Sequence, residues 1–210
     1  MRLLLENKQF RIFWIAGVFS DLALITYFTV HGWLALQVSD SAFWVGATSG
    51  AGGLSLTMFS VFGGVLVDRF GRRSLVLVGL LIRFVIALAL VALIMTENIA
   101  LWHVLLAAFG EGLAVSFLMP AMMALTLDVA GRGKLLSATA ARFAGMTVAG
   151  IIAPLAAGSI VNSAGIEWAY VMIALGFSAS AGFMLILRPP NPAKRTNSSP
   201  LEDLRQGVTY

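Results

Sequence analysis

The sequence predicts an all-α integral membrane protein with six transmembrane helices, and three observations carry that expectation. The first is composition: 59% of the 210 residues are hydrophobic and 11% are charged, against about 25% charged in a soluble domain. The second is a set of six long apolar runs, at roughly 12–37, 42–66, 74–95, 99–127, 135–162 and 167–187. A helix needs ~20 mostly apolar residues to cross a bilayer. The third is the placement of basic residues, which divides the connections into two classes.

Of the fourteen Lys and Arg, Arg2, Lys8 and Arg11 precede the first run, and Arg69, Arg72 and Arg73 separate the second from the third. Arg132, Lys134 and Arg142 lie around the connection between the fourth and fifth, and Arg188, Lys194, Arg195 and Arg205 follow the sixth. The remaining connections carry Asp40, Glu97 and Glu167 and no Lys or Arg. Basic residues concentrate on the cytoplasmic side of membrane proteins, so both termini and the two basic connections are expected in the cytoplasm, with the protein multi-pass in the cell membrane. The same distribution accounts for the high isoelectric point without invoking nucleic acid. The remaining basic residue, Arg83, lies inside the third run.

Each run is expected to be a helix, because backbone groups in lipid must pair within their own segment. The short alternating strands of a barrel are absent from the sequence. The first run is too long for a signal peptide and lacks a small-x-small cleavage site. The second bears a stripe of Gly46, Gly50 and Gly53, with Ser60 and Gly64 beyond, that lets helices approach closely. A charged hairpin over 64–73 joins the second run to the third, where Gly71 permits a left-handed turn. The fourth run ends at Asp128. The fifth has Gly145, Ala149, Ala153 and Ala157 at four-residue spacing, which suits helix packing. After the sixth, Pro189, Pro190 and Pro192 exclude a continuing helix.

The chain therefore divides into a transmembrane bundle, 1–188, and a cytoplasmic segment, 189–210. In that segment Ser199 as N-cap, Pro200 in the first helical position and Glu202 completing a capping box start a new helix. Leu201, Leu204 and Val208 mark its apolar face.

Charge inside a bilayer costs several kcal/mol and marks a pathway or an ion pair. Asp21, Arg83 and Glu111 are the candidates for a substrate or proton pathway. Helical rise puts Asp21 and Arg83 at similar depth, about 15 Å from the cytoplasmic ends, with Glu111 ~10 Å further out. That placement suits a proton-coupled cavity lined by the arginine and both acids, or else a structural Asp21–Arg83 pair that leaves Glu111 as the better titrating group. His31 and His103 fall near the external ends of the first and fourth runs, where a pair of histidines could ligate haem. Trp14, Trp33, Trp44, Trp102 and Trp168 lie near expected interfaces, as an aromatic belt does. Cysteine is absent, which removes thiolate metal sites. Nucleotide loops, metalloprotease helices and nucleophile elbows do not occur, so the sequence implies neither an enzyme nor a cofactor.

The segment Gly64-Val65-Leu66-Val67-Asp68-Arg69-Phe70-Gly71-Arg72-Arg73 resembles the loop between helices 2 and 3 of the major facilitator superfamily, G-x-L-x-D-R-x-G-R-R/K, at every fixed position. The stretch from Gly32 to Gly46 and the run Phe117-Leu118-Met119-Pro120-Ala121 resemble the enterobactin-exporter-like branch of that superfamily. The resemblance implies one half of the major-facilitator fold, a 3+3 inverted repeat: the N-terminal six-helix half followed by the start of the inter-half loop, with the C-terminal half missing. It implies that Asp68 and Arg72 lock the cytoplasmic helix ends, with Asp128 as the acidic partner. The fifth run, which also carries Gly150, resembles the antiporter signature G-x-x-x-G-P-x-x-G-G at Pro154 and Gly158, and departs from it in part, with alanines at 149, 153 and 157 in place of glycines.

The activity implied is secondary active transport, specifically proton-coupled export of small amphiphilic compounds of drug or siderophore type by alternating access. Its partners would be the lipid bilayer, a small-molecule substrate, protons, and either the missing half or a second copy. The alternatives are a half-size transporter acting as a dimer and a haem-binding membrane redox subunit.

Overall fold

The computed structural model describes residues 6–188, with the side chain of Asp68 outside the described set. The capping box expected at Ser199, Pro200 and Glu202 also lies outside the described residues. Six helices run in order: α1 (Lys8–Ser39), α2 (Ala42–Phe70), α3 (Arg72–Met95), α4 (Leu101–Ala130), α5 (Leu135–Ser163) and α6 (Ile166–Ile186). A single 3-10 turn, Arg132–Lys134, precedes α5. All six are long and apolar enough to cross a membrane. Large apolar side chains such as Phe28, Val61, Leu88 and Leu155 stand exposed on the outer faces, as lipid-facing residues do.

Five of the six helices are longer than the apolar runs, α6 matching its run in length, and the reason is local. Asn7 caps α1 by accepting a hydrogen bond from the Phe10 amide at 3.0 Å, so the helix starts a turn before the hydrophobic segment. The hairpin expected over 64–73 shrinks to one residue. Gly64 through Phe70 continue α2, and Arg72 already opens α3. Only Gly71, at φ 78°, breaks the helical path. Residues without a Cβ adopt that angle freely. Gly131 ends α4 at the same φ of 78°, so the two basic connections turn by the same device.

The packing pairs carry an internal symmetry. The principal contacts are α2 on α4, α1 on α6, α3 on α6, α1 on α5 and α3 on α4. Exchanging α1, α2 and α3 for α4, α5 and α6 maps α1–α5 onto α2–α4, maps α1–α6 onto α3–α4, and leaves α3–α6 unchanged. Three helices per repeat reverse the chain direction across the membrane, so the two repeats are inverted. This is the 3+3 arrangement expected from the sequence.

Small residues set the closest approaches. A Cβ built on Gly112 of α4 would lie 2.1 Å from the Gly52 carbonyl oxygen of α2, and one on Gly63 would lie 2.3 Å from the Ser116 carbonyl. Without a driving force for apolar burial inside lipid, such backbone proximity is how membrane helices gain packing energy. The stripe singled out in the sequence is a different one: Gly46, Gly50, Gly53 and Gly64 have nothing within 4 Å of an added Cβ. On α5, Gly145, Ala149, Ala153 and Ala157 are buried, while Gly150 and Gly158 have open space beside them.

Candidate functional site

Two features hold the charges of the bundle interior. The first is an ion pair sealed between α3, α4 and α6. Arg83 Nε donates to Glu111 Oε1 at 2.6 Å, and Arg83 Nη2 contacts the same oxygen. The side chains are 1% and 2% exposed. The guanidinium lies 4.5 Å from the centre of the Phe177 ring on α6, a cation–π contact in a desolvated place. Glu111 Oε2 has no hydrogen-bond partner among the described residues.

This pair corrects the pairing expected from depth. Arg83 binds Glu111 instead of Asp21. Counting from the basic ends misplaced Glu111 because α4, with 30 residues, outruns α3, with 24. Counted from the outer ends, Arg83 and Glu111 lie ~18 and ~15 Å deep, within reach of two long side chains. Glu111 is thereby committed to a partner.

The second feature is a cleft of about 530 Å³ between α1, α3, α4 and α5. Ser20 and Asp21 enter it from α1, Arg83 forms part of its floor, and Arg142 enters from α5. Met119, Met122, Met123 and Met146 make much of the apolar wall. Thioether side chains are flexible and polarisable, and they fit bodies of varied shape. Asp21 and Arg142 line the same cleft, yet neither belongs to the three ion pairs among the described residues. The Arg142 guanidinium is instead drawn over the Phe13 ring, 5.6 Å from its centre.

Arg142 is the residue that sequence reasoning missed. It was grouped with Arg132 and Lys134 as a topology-setting charge, but it lies seven residues inside α5, ~10 Å from the helix start. Its position within an apolar run was the available signal.

At the basic end of the bundle the sequence motif is a strap. Arg72 Nη1 forms an ion pair with Asp128 Oδ1 and reaches the Ala124 carbonyl at 3.3 Å, which ties α3 to α4. Arg73 donates from Nε to the Met184 carbonyl at 2.9 Å and from Nη2 to the Leu185 carbonyl at 2.7 Å. These are orphan carbonyls in the last turn of α6, where a cation is also favoured by the helix dipole. One turn thus fastens the start of α3 to the ends of both α4 and α6. Asp68 and Arg69 occupy the last turn of α2. Arg72 and Asp128 are 24% and 12% exposed, so their pair is partly screened. Exchanging the two charges tests it. Arg72→Asp alone is expected to destabilise the bundle by more than the ~1 kcal/mol of an ordinary pair, through repulsion from Asp128. Adding Asp128→Arg should restore about half the loss in reversible unfolding from mixed micelles. A double variant no more stable than Arg72→Asp would contradict a direct pair.

The histidines serve the protein itself. His31 Nε2 donates to the Val104 carbonyl at 3.1 Å, and the Tyr170 hydroxyl donates to His31 Nδ1 at 2.9 Å. A carbonyl only accepts, which fixes that tautomer. Tyr27 stacks on the imidazole with 4.5 Å between ring centres. His103 Nδ1 accepts from the Ala100 amide at 3.0 Å in the first turn of α4. Three of the four ring nitrogens are therefore occupied, and a haem held by this pair does not fit.

The comparisons with known proteins agree with this architecture. An enterobactin exporter, EntS, from Escherichia coli is 24% identical over 214 residues, a match that covers 100% of this chain and 50% of that protein. The exporter of the same name from Shigella boydii serotype 18 is 23% identical over 213 residues, with 100% and 50% covered. The chain thus spans about half the length of the curated relatives it matches. Among solved structures, a peptide transporter POT in complex with sulfate superposes with a TM-score of 0.76 at 14% identity, over 96% of this chain and 43% of that one. An auto-inhibited POT family peptide transporter gives 0.73 at 12% identity, over 92% and 40%. At those identities the superpositions speak for the six-helix architecture alone. Membership rests on the family model for the Major Facilitator Superfamily, which matches residues 13–209 and so runs through all six helices: the chain belongs to the Major Facilitator Superfamily of transporters.

Proposed function

We propose that this bundle is one side of a proton-coupled exporter of small amphiphilic compounds, working by alternating access around the cleft. The observation that supports this most is a carboxylate, Asp21, facing a methionine-walled cavity within the membrane-spanning region without a direct ion-pair partner among the described residues. Glu111 is occupied by Arg83, so the proton-carrying role passes to Asp21. In this reading Asp21 takes a proton when the cleft opens to the acidic side and releases it as substrate replaces it. The strap at Arg72, Arg73 and Asp128 holds the cytoplasmic helix ends together while the cleft faces outward, with both termini in the cytoplasm. A midplane site needs walls from two bundles, which rock against each other. The open glycine faces of α2 and α5 are the surfaces on which a second bundle would move.

The test is transport in proteoliposomes that hold the chain co-expressed with a matching second six-helix bundle. A pH gradient should drive flux of an amphiphilic dye such as rhodamine B. Asp21→Asn should abolish the pH-driven component while leaving downhill exchange, and the chain alone should give no flux. Gradient-driven flux that survives Asp21→Asn would refute the coupling role. Flux from the monomeric chain alone would refute the two-bundle requirement.

A further inference from the structure

Asp21 and Arg142 stand on different helices, α1 and α5, and face the same cleft. Arg142 packs beside α1, its Nε 3.9 Å from where a Cβ on Gly17 would stand. The two charges share the cleft wall without meeting in an ion pair among the described residues. The third charge on the cleft wall, Arg83, is already neutralised by Glu111. What remains is one acid and one base on the same cleft, which methionines also line.

That arrangement selects a ligand by its pattern of charge. A simple anion would satisfy Arg142 and bring a like charge beside Asp21. A simple cation would satisfy Asp21 and bring a like charge beside Arg142. In a low-dielectric cleft either repulsion is severe. A head group with both signs meets an opposite charge at each pole and adds no net charge to the membrane interior. Guanidinium also takes a carboxylate through two parallel hydrogen bonds, and methionine accommodates an apolar tail of variable shape.

We infer that the cleft is a zwitterion site: it takes amphiphiles whose head carries an ammonium and a carboxylate, the ammonium on Asp21, the carboxylate on Arg142, and the tail along Met119, Met122 and Met146. This rests on the export reading and names its substrate class. The ligand's ammonium and a proton then compete for one carboxylate, which is the exchange an antiporter requires. The charged groups facing Asp21 are Arg142 from α5 and Arg83 from α3. Glu111 of α4 is turned to Arg83, Tyr170 of α6 to His31, and α2 has no titratable residue before Asp68.

The experiment is calorimetric binding to the chain co-expressed with the matching second six-helix bundle, in nanodiscs of neutral lipid, with empty nanodiscs as the blank. Three probes share an apolar tail and differ in head charge: α-aminooctanoate, octanoate and octylamine. Near neutral pH, α-aminooctanoate should bind about tenfold or more tightly than either of the others. Asp21→Asn should erase its advantage over octanoate, and Arg142→Gln its advantage over octylamine. Octanoate or octylamine binding as tightly as the zwitterion would overturn the charge pattern and leave the cleft as a binding site. Failure of all three to bind would overturn the export reading as well. The comparison among probes on the unmodified chain decides the question even where a variant does not fold.

Discussion

Replacing Arg83 with leucine will destabilise the bundle by about 3–5 kcal/mol, because it leaves the Glu111 carboxylate buried without its ion-pair partner. Both side chains are almost wholly enclosed, so neither water nor lipid headgroups can take over. The loss of the contact with Phe177 adds to the effect. The double variant Arg83→Leu with Glu111→Leu should recover most of the loss, since apolar replacement of a buried pair is often neutral or stabilising. Reversible unfolding in mixed micelles measures both. A double variant as unstable as the sum of the two singles would show that the residues do not act as a pair. Transport then separates two roles for the site. A double variant that folds and still couples protons to flux makes the pair a structural staple of α3, α4 and α6. One that folds but transports nothing would place it in the pathway beside Asp21.

Hydropathy found all six helices because the bilayer imposes a length and a composition that no other element meets. The ends were less legible. Phe70 and Arg72 are helical because intrahelical hydrogen bonds continue until a glycine breaks them, whatever the polarity of the residues, so a charged stretch was misread as a loop. Depth along the membrane was also hard to read, because helices of unequal length have no common origin. That is why Arg83 was matched to Asp21 and Glu111 seemed remote. The face of a helix was hardest of all. A membrane helix is apolar where it meets lipid and apolar where it meets protein, so spacing picked out Gly46, Gly50 and Gly53, which stand open as a face for a partner surface, and not Gly52 and Gly63, which make the close approaches within the bundle. The motif resemblance named both Arg72 and Asp128, and a charge at each helix end made the pairing physically plausible, so that part of the strap was legible. Arg142 was not, because the positive-inside count absorbed it.

The contrast between glycine faces gives the second large effect. Gly112→Ala should destabilise the bundle by about 3 kcal/mol, the upper part of the usual range for overpacking, and Gly50→Ala by about 0.5 kcal/mol or less, as for a surface substitution. At Gly112 the new methyl would fall 2.1 Å from the Gly52 oxygen and 2.9 Å from its carbonyl carbon. A backbone cannot rotate aside as a side chain can, so α2 and α4 must separate by roughly 1 Å to restore ordinary contact. That separation also loosens the neighbouring approach of Gly63 to Ser116, so the penalty spreads along the interface. At Gly50, on the other face of α2, the methyl enters open space. The same unfolding assay reads both variants, and equal stability of the two would mean that α2 and α4 are not in backbone contact. The consequence reaches the interior charge. Gly112 adjoins Glu111, so a shift of α4 displaces the carboxylate from Arg83 and weakens the contact that holds α3, α4 and α6 together. Gly112→Ala combined with Arg83→Leu should therefore be less destabilising than the sum of the two, because the second change removes a pair that the first has already strained.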